Sequence, residues 1–127
     1  ICVGMQLMAT MGREYKDTAG LDWIAGDVTQ ITPFDKSLKV PHMGWNAVAP
    51  TQPDHPIWKG LSDVPYFYYV HSYYPSLANI DDSACSTTHG TQKFEGAVCR
   101  GNLIATQFHP EKSQHAGLQL LKNFIQL

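Results

Sequence analysis

The chain has 127 residues, of which 43% are apolar and 16% charged, a balance that excludes a disordered chain and fits one hydrophobic core rather than two. Nine Lys and Arg against eleven Asp and Glu give a formal charge of -2, which excludes nucleic-acid binding through a basic face. The longest apolar stretches, such as Tyr66 to Val70, fall far short of a bilayer span, and three irregularly spaced cysteines make no disulfide framework, so a cytoplasmic setting is expected.

The chain opens on Ile1-Cys2-Val3-Gly4-Met5-Gln6. A reactive group on such a turn needs packed elements on both sides, so residues 1–127 are expected to be the C-terminal portion of a single longer domain. Met5 to Met11 are good helix formers and Gly12 is a stop, which predicts a short helix leaving the Cys2 turn. Leu21 to Ile31 carries Trp23, Ile24, Val28 and Ile31 among small and polar residues and predicts one or two short strands. Pro33 to Lys39 reads as a polar connection. Val40 to Asn46 reads as extended, because Pro41 disfavours helix for Val40 and Gly44 interrupts any period. Pro50 to Gly60 is a proline-rich loop with room for a single turn at Ile57 to Lys59.

The strongest strand signal is Tyr66 to Tyr74, aromatic and β-branched between Pro65 and Pro75. Alternation puts Tyr66, Tyr68, Val70 and Ser72 on one face and Phe67, Tyr69, His71 and Tyr73 on the other. Further strands are expected over Ala84 to Thr88, Phe94 to Arg100 and Leu103 to Phe108, with Gly90, Gly96 and Gly101 marking turns. A helix from about Gln114 to Leu127 closes the chain, with Ser113 as N-cap. Its buried stripe is expected to be Leu118, Leu121 and Ile125, widened by Leu120 and Phe124. The sum is an α/β sheet with antiparallel additions.

The chemistry points to a nucleophile. Cys2 stands in C-x-G-x-Q, where a tight strand-to-helix turn would lift the sulfur off the sheet and Gly4 would allow close backbone approach. The helix start beside it is expected to favour thiolate, with the backbone N–H of Val3 as an oxyanion donor. In His109-Pro110-Glu111, Pro110 pushes His109 into an extended conformation, where residues i and i+2 share a face. Glu111 would then accept the Nδ1 proton of His109 and leave Nε2 to serve Cys2 as base. Cys85 and Cys99 read as small buried apolar residues. His42, His71, His89 and His109 follow no short ligand spacing, so no metal site is expected.

Cys2-Val3-Gly4-Met5-Gln6 resembles the nucleophile motif of class I, triad-type glutamine amidotransferases, and His109-Pro110-Glu111 resembles their second signature. Val40-Pro41-His42-Met43-Gly44-Trp45-Asn46, Tyr68-Tyr69-Val70-His71-Ser72-Tyr73 and Gln107-Phe108-His109-Pro110-Glu111-Lys112-Ser113 are similar to the glutaminase subunits of imidazole glycerol phosphate synthases. Val3 stands where that family more often has Leu. The resemblance implies an open, mostly parallel, flavodoxin-like sheet with antiparallel additions and no cofactor. It implies that Cys2 attacks the side-chain amide of glutamine, that His109 shuttles the proton and that Glu111 orients it. Gln6 and the backbone of His71, Ser72 and Tyr73 would hold the glutamine. The ammonia would pass to a (β/α)8-barrel cyclase partner faced by Trp45, Asn46, Tyr68 and Lys112, within histidine biosynthesis. Two rival readings stand beside it: a glutaminase of a different amidotransferase pathway, and an inactive fragment that serves as a structural partner.

Overall fold

The computed structural model describes residues 1–32 and 36–127. The expected connection from Pro33 to Lys39 lies partly outside the described residues. In chain order the elements are α1 (Val3–Leu7), β1 (Ala9–Gly12), β2 (Thr18–Ala19), β3 (Ile24–Gln30), β4 (His42–Ala47) and β5 (Ala49–Pro50). They continue with β6 (Tyr66–His71), β7 (Tyr73–Leu77), β8 (Ser83–His89), β9 (Gln92–Arg100), β10 (Leu103–Thr106) and α2 (Gln114–Ile125). Short 3-10 turns cover Pro56–Trp58, Ile80–Asp82 and Pro110–Lys112. The strands order as β2-β1-β3-β7, β10-β9-β8-β5 and β4-β6. Among the described strands β1 and β3 run parallel, and the other pairs are antiparallel. The α/β class with both kinds of pairing is as expected, with the antiparallel share the larger here.

Tertiary pairing overrides propensity at the front. The helix expected over Met5 to Met11 stops at Leu7, and Ala9 to Gly12 forms a strand instead. Met8 caps the helix, and its carbonyl accepts the N–H groups of both Trp23 and Ile24. That contact places Ala9 opposite Ile24 and Met11 opposite Asp27, a pairing that the local helix preference cannot outweigh.

The aromatic run divides at Ser72. Its first half, β6, pairs with β4, and its second half, β7, pairs with β3. The Ser72 carbonyl accepts the Ile31 N–H at 2.8 Å, which fixes the break. Alternation within β6 is as predicted: Phe67, Tyr69 and His71 are buried while Tyr66 is exposed. Phe67 stacks on Phe108 with ring centroids 4.1 Å apart, and Tyr69 packs edge-on against the same Phe108 ring. These rings join Ile31, Val48, Ile57, Phe94 and Leu120 in the main core.

The stripe expected on α2 is a correction. Leu118, Phe124 and Ile125 are exposed, and the face that packs inward is Gly117, Leu120 and Asn123. Asn123 is tolerated there because its Nδ2 donates to the carbonyls of Ile57 and Lys59, at 2.8 and 2.7 Å. Ser113 precedes the helix as expected but makes no side-chain cap; its hydroxyl is held elsewhere. No helix among the described residues is long and apolar enough to cross a membrane.

At Gly117, α2 lies tight against the turn that follows β10. A Cβ there would stand 1.8 Å from the Pro110 carbonyl oxygen. Gly117→Ala is therefore expected to destabilise the protein by about 1–3 kcal/mol through overpacking, read as a lower urea midpoint. An unchanged midpoint would show that the turn gives way freely.

Candidate active site

Cys2 sits between the end of β10 and the start of α1. Its N–H donates to the Thr106 carbonyl at 2.7 Å, and the carbonyls of Ile1 and Cys2 accept the first N–H groups of the helix. The backbone at Cys2 has φ 51 and ψ -112, a left-handed geometry that non-glycine residues adopt only where the surroundings impose it. This is the sharp elbow expected from C-x-G-x-Q. It presents the half-buried sulfur to Gln107, whose Nε2 donates to Sγ at 3.5 Å, and places it 4.0 Å from the Val70 carbonyl.

The thiol is not poised as thiolate, which corrects the expectation from the helix start. Burial pushes the Cys2 pKa up and dominates. The Val3 N–H and the Gln107 amide pull it down, while the Glu111 charge adds to the rise. Five residues of helix do not offset the desolvation.

His109 is anchored by its N–H to the Tyr68 carbonyl at 2.9 Å and is extended, at φ -103 and ψ 96. Its Nδ1–H donates to Glu111 Oε1 at 2.6 Å, the orientation that the motif predicts. The route differs from the one expected. Pro110 starts a 3-10 turn, and it is that turn, rather than an extended i, i+2 face, that brings the carboxylate back to the ring. Burial acts to raise the Glu111 carboxyl, but the His109 hydrogen bond and nearby positive charge hold it below its ordinary value. His109 Nε2 is buried and has no hydrogen-bond partner. The described hydrogen bonds include none between Cys2 and His109. Both are referenced to one stretch of β6: the His109 N–H is bonded to the Tyr68 carbonyl, and the Cys2 sulfur stands beside the Val70 carbonyl.

A cleft of about 620 Å³ opens on the sulfur. Cys2 lines it with Gln6, His71, Ser72 and Tyr73, the residues expected to hold the substrate, whereas His109, Glu111 and Val3 are not among its lining residues. Gln6 Nε2 donates to the Tyr73 carbonyl at 2.9 Å and to Gln107 Oε1 at 3.0 Å. The sequence reading missed Gln107. It is wholly buried and joins Gln6 to Cys2, and it stood at the head of the segment Gln107 to Ser113 without being given a role. Glu14 and Tyr15, which also line the cleft, carried no signal.

The residues assigned to a partner face divide. Trp45 stands opposite Tyr68 in the β4–β6 register, ring centroids 6.2 Å apart, with Trp45 half exposed. Lys112 is exposed beside Glu111. Asn46 instead turns its amide inward, to His42 Nε2 and the Thr88 carbonyl, while its oxygen accepts the Ala47 N–H. Among the described residues no group of three or more His, Cys, Asp or Glu is arranged to hold a metal ion.

Residues 1–127 match the family model for glutamine amidotransferase class-I. The chain is 46% identical over 125 residues to the imidazole glycerol phosphate synthase subunit HisH of Ruegeria pomeroyi, covering 98% of this chain and 58% of that protein. It is 48% identical over 122 residues to the HisH protein of Azospirillum brasilense, covering 96% of this chain and 62% of that one. The chain thus spans about three-fifths of the length of the curated relatives it matches. The crystal structure of a putative GMP synthase component from Thermoplasma acidophilum superposes with a TM-score of 0.58 at 22% identity, over 80% of this chain and 47% of that one, and shows the fold.

A thiol raised above its ordinary 9.0 stays protonated to higher pH, so the alkylation rate of Cys2 in the ligand-free protein should still be climbing at that pH. Iodoacetamide labelling, with the modified peptide located by mass spectrometry, measures it. A plateau below about pH 8 would mean that an imidazole already holds the proton.

Proposed function

This chain belongs to the class-I glutamine amidotransferase family, and from that membership and its site we propose that it releases ammonia from glutamine as the glutaminase component of an imidazole glycerol phosphate synthase. The observation that carries the reading is the His109–Glu111 pair, whose 2.6 Å bond leaves a buried, unpartnered Nε2 over the same strand as the Cys2 sulfur. Glutamine lies in the cleft, held by Gln6 and the backbone of His71, Ser72 and Tyr73. As Sγ attacks the side-chain amide carbon, its proton passes to His109 Nε2, and the Val3 N–H faces the oxygen that gains charge. His109 then gives that proton to the departing nitrogen, and ammonia leaves a glutamyl thioester on Cys2. Water, losing a proton to the same imidazole, cleaves the thioester to glutamate and restores the thiol. Glu111 keeps the ring in its tautomer and stabilises the imidazolium in passing.

The ammonia is handed to a (β/α)8-barrel cyclase that binds against Trp45, Tyr68 and Lys112, with Asn46 supporting the strand behind them. There it reacts with an activated ribulosyl nucleotide to give imidazole glycerol phosphate and aminoimidazole carboxamide ribotide, in histidine biosynthesis. An aromatic pair beside an exposed lysine suits an interface anchor.

In the full-length protein paired with the cyclase barrel, Cys2→Ala should lower glutamine-dependent synthesis by at least about a thousandfold and leave ammonia-dependent synthesis intact. Loss of both would mean that Cys2 is misassigned. His109→Asn should be comparably severe and Glu111→Gln milder, measured as glutamate released per turnover.

A further inference from the structure

The glutaminase mechanism leaves the imidazole rings of two buried histidines, His42 and His71, without a task. We propose that His42 and His71 form a proton-ordered relay that positions the Tyr73 carbonyl, and through it the Gln6 amide, at the wall of the glutamine cleft. The inference rests on the glutaminase reading above.

Every direction in the relay is forced. A carbonyl only accepts, so the 2.8 Å contact between His71 Nδ1 and Tyr73 O puts the proton on Nδ1. In a neutral ring His71 Nε2 must then accept, and His42 Nδ1, 2.9 Å away, must donate. His42 Nε2 is left as an acceptor and meets Asn46 Nδ2 at 3.0 Å. The Asn46 amide is itself fixed, because its oxygen accepts the Ala47 N–H and its nitrogen also donates to the Thr88 carbonyl. At the other end, Tyr73 O accepts from Gln6 Nε2, Gln6 Nε2 also donates to Gln107 Oε1, and Gln107 Nε2 faces the sulfur. An unbroken set of hydrogen bonds thus runs from the inner side of β4 to the nucleophile.

A proton added to His71 Nε2 would set N–H against the His42 Nδ1–H, and one added to His42 Nε2 would set N–H against the Asn46 amide. The surroundings prevent it. His42 lies against Tyr69 of β6, Phe94 of β9 and His89 of β8; His71 lies against Tyr69 and Phe94. His89 donates Nε2–H to the Lys39 carbonyl. Burial first, then His71 and His89, push His42 down to about 3. Burial first, with His89 and His109 adding to it, pushes His71 down to about 4 against the opposing bond to Tyr73. No carboxylate among the described residues pairs with either ring.

The test uses the full-length protein with its cyclase barrel. Nitrogen-15 long-range correlation spectra should show both rings neutral and protonated on Nδ1, unchanged down to about pH 5. His42→Leu should raise the KM for glutamine about tenfold, the loss of one buried hydrogen bond, with kcat within about twofold of wild type. His42→Asn, which keeps a donor where Nδ1 stands, should restore KM. A ring protonated on Nε2 or doubly protonated at neutral pH would overturn the relay, as would an unchanged KM in a folded His42→Leu protein. A wild-type complex that turns over no glutamine would sink the glutaminase reading instead, and the ring tautomers would then decide the relay by themselves.

Discussion

Both backbone groups of Tyr68 are taken by one short loop, and the site depends on that grip. The His109 N–H donates to the Tyr68 carbonyl, and the Tyr68 N–H donates to Ser113 Oγ at 2.9 Å. The Ser113 hydroxyl in turn donates to the His109 carbonyl at 2.6 Å, so the loop is closed on itself as well as on the strand. The general base is thereby indexed to the middle of β6, two residues from the carbonyl beside the Cys2 sulfur. The Cys2–Thr106 bond completes the circuit, because Thr106 leads directly into the same loop. Residues more than a hundred positions apart in sequence meet through backbone bonds, which side-chain substitution cannot easily remove.

What the amino-acid pattern disclosed follows from which forces are local. The alternation of β6, the elbow at Cys2 and the His109–Glu111 pairing were legible because each is set by residues a few positions apart. The strand at Ala9 to Gly12 was not, since its helix-forming side chains are overruled by a parallel partner well downstream. The inward face of α2 was hidden for a related reason. Its centre is a glycine and an asparagine, residues that carry no apolar signal and are explained only by a carbonyl pressed against the one and two carbonyls bonded to the other. Ser113 shows the same limit from the other side: its position was predictable, its partners were not.

The resting site is electrostatically quiet. The sulfur is held in its protonated form by desolvation, the two histidines deeper in are kept neutral, and the carboxylate is the one group drawn toward its charged form. Such an arrangement stores little reactivity until a ligand displaces water and adds its own polar groups. Gln107 matters in this state because its amide satisfies the thiol and Gln6 together, so neither is left to seek another partner inside the cleft.

The division of the aromatic run at Ser72 has a bearing on how the segment can vary in length. One residue joins a strand registered on β4 to a strand registered on β3, with no slack between them. Adding or deleting a position there would rotate one strand by half a pleat relative to the other, and every side chain on the shifted side would exchange core for solvent. Indels are therefore excluded from this stretch more firmly than most substitutions, and its spacing is as much a part of the fold's specification as its aromatic composition.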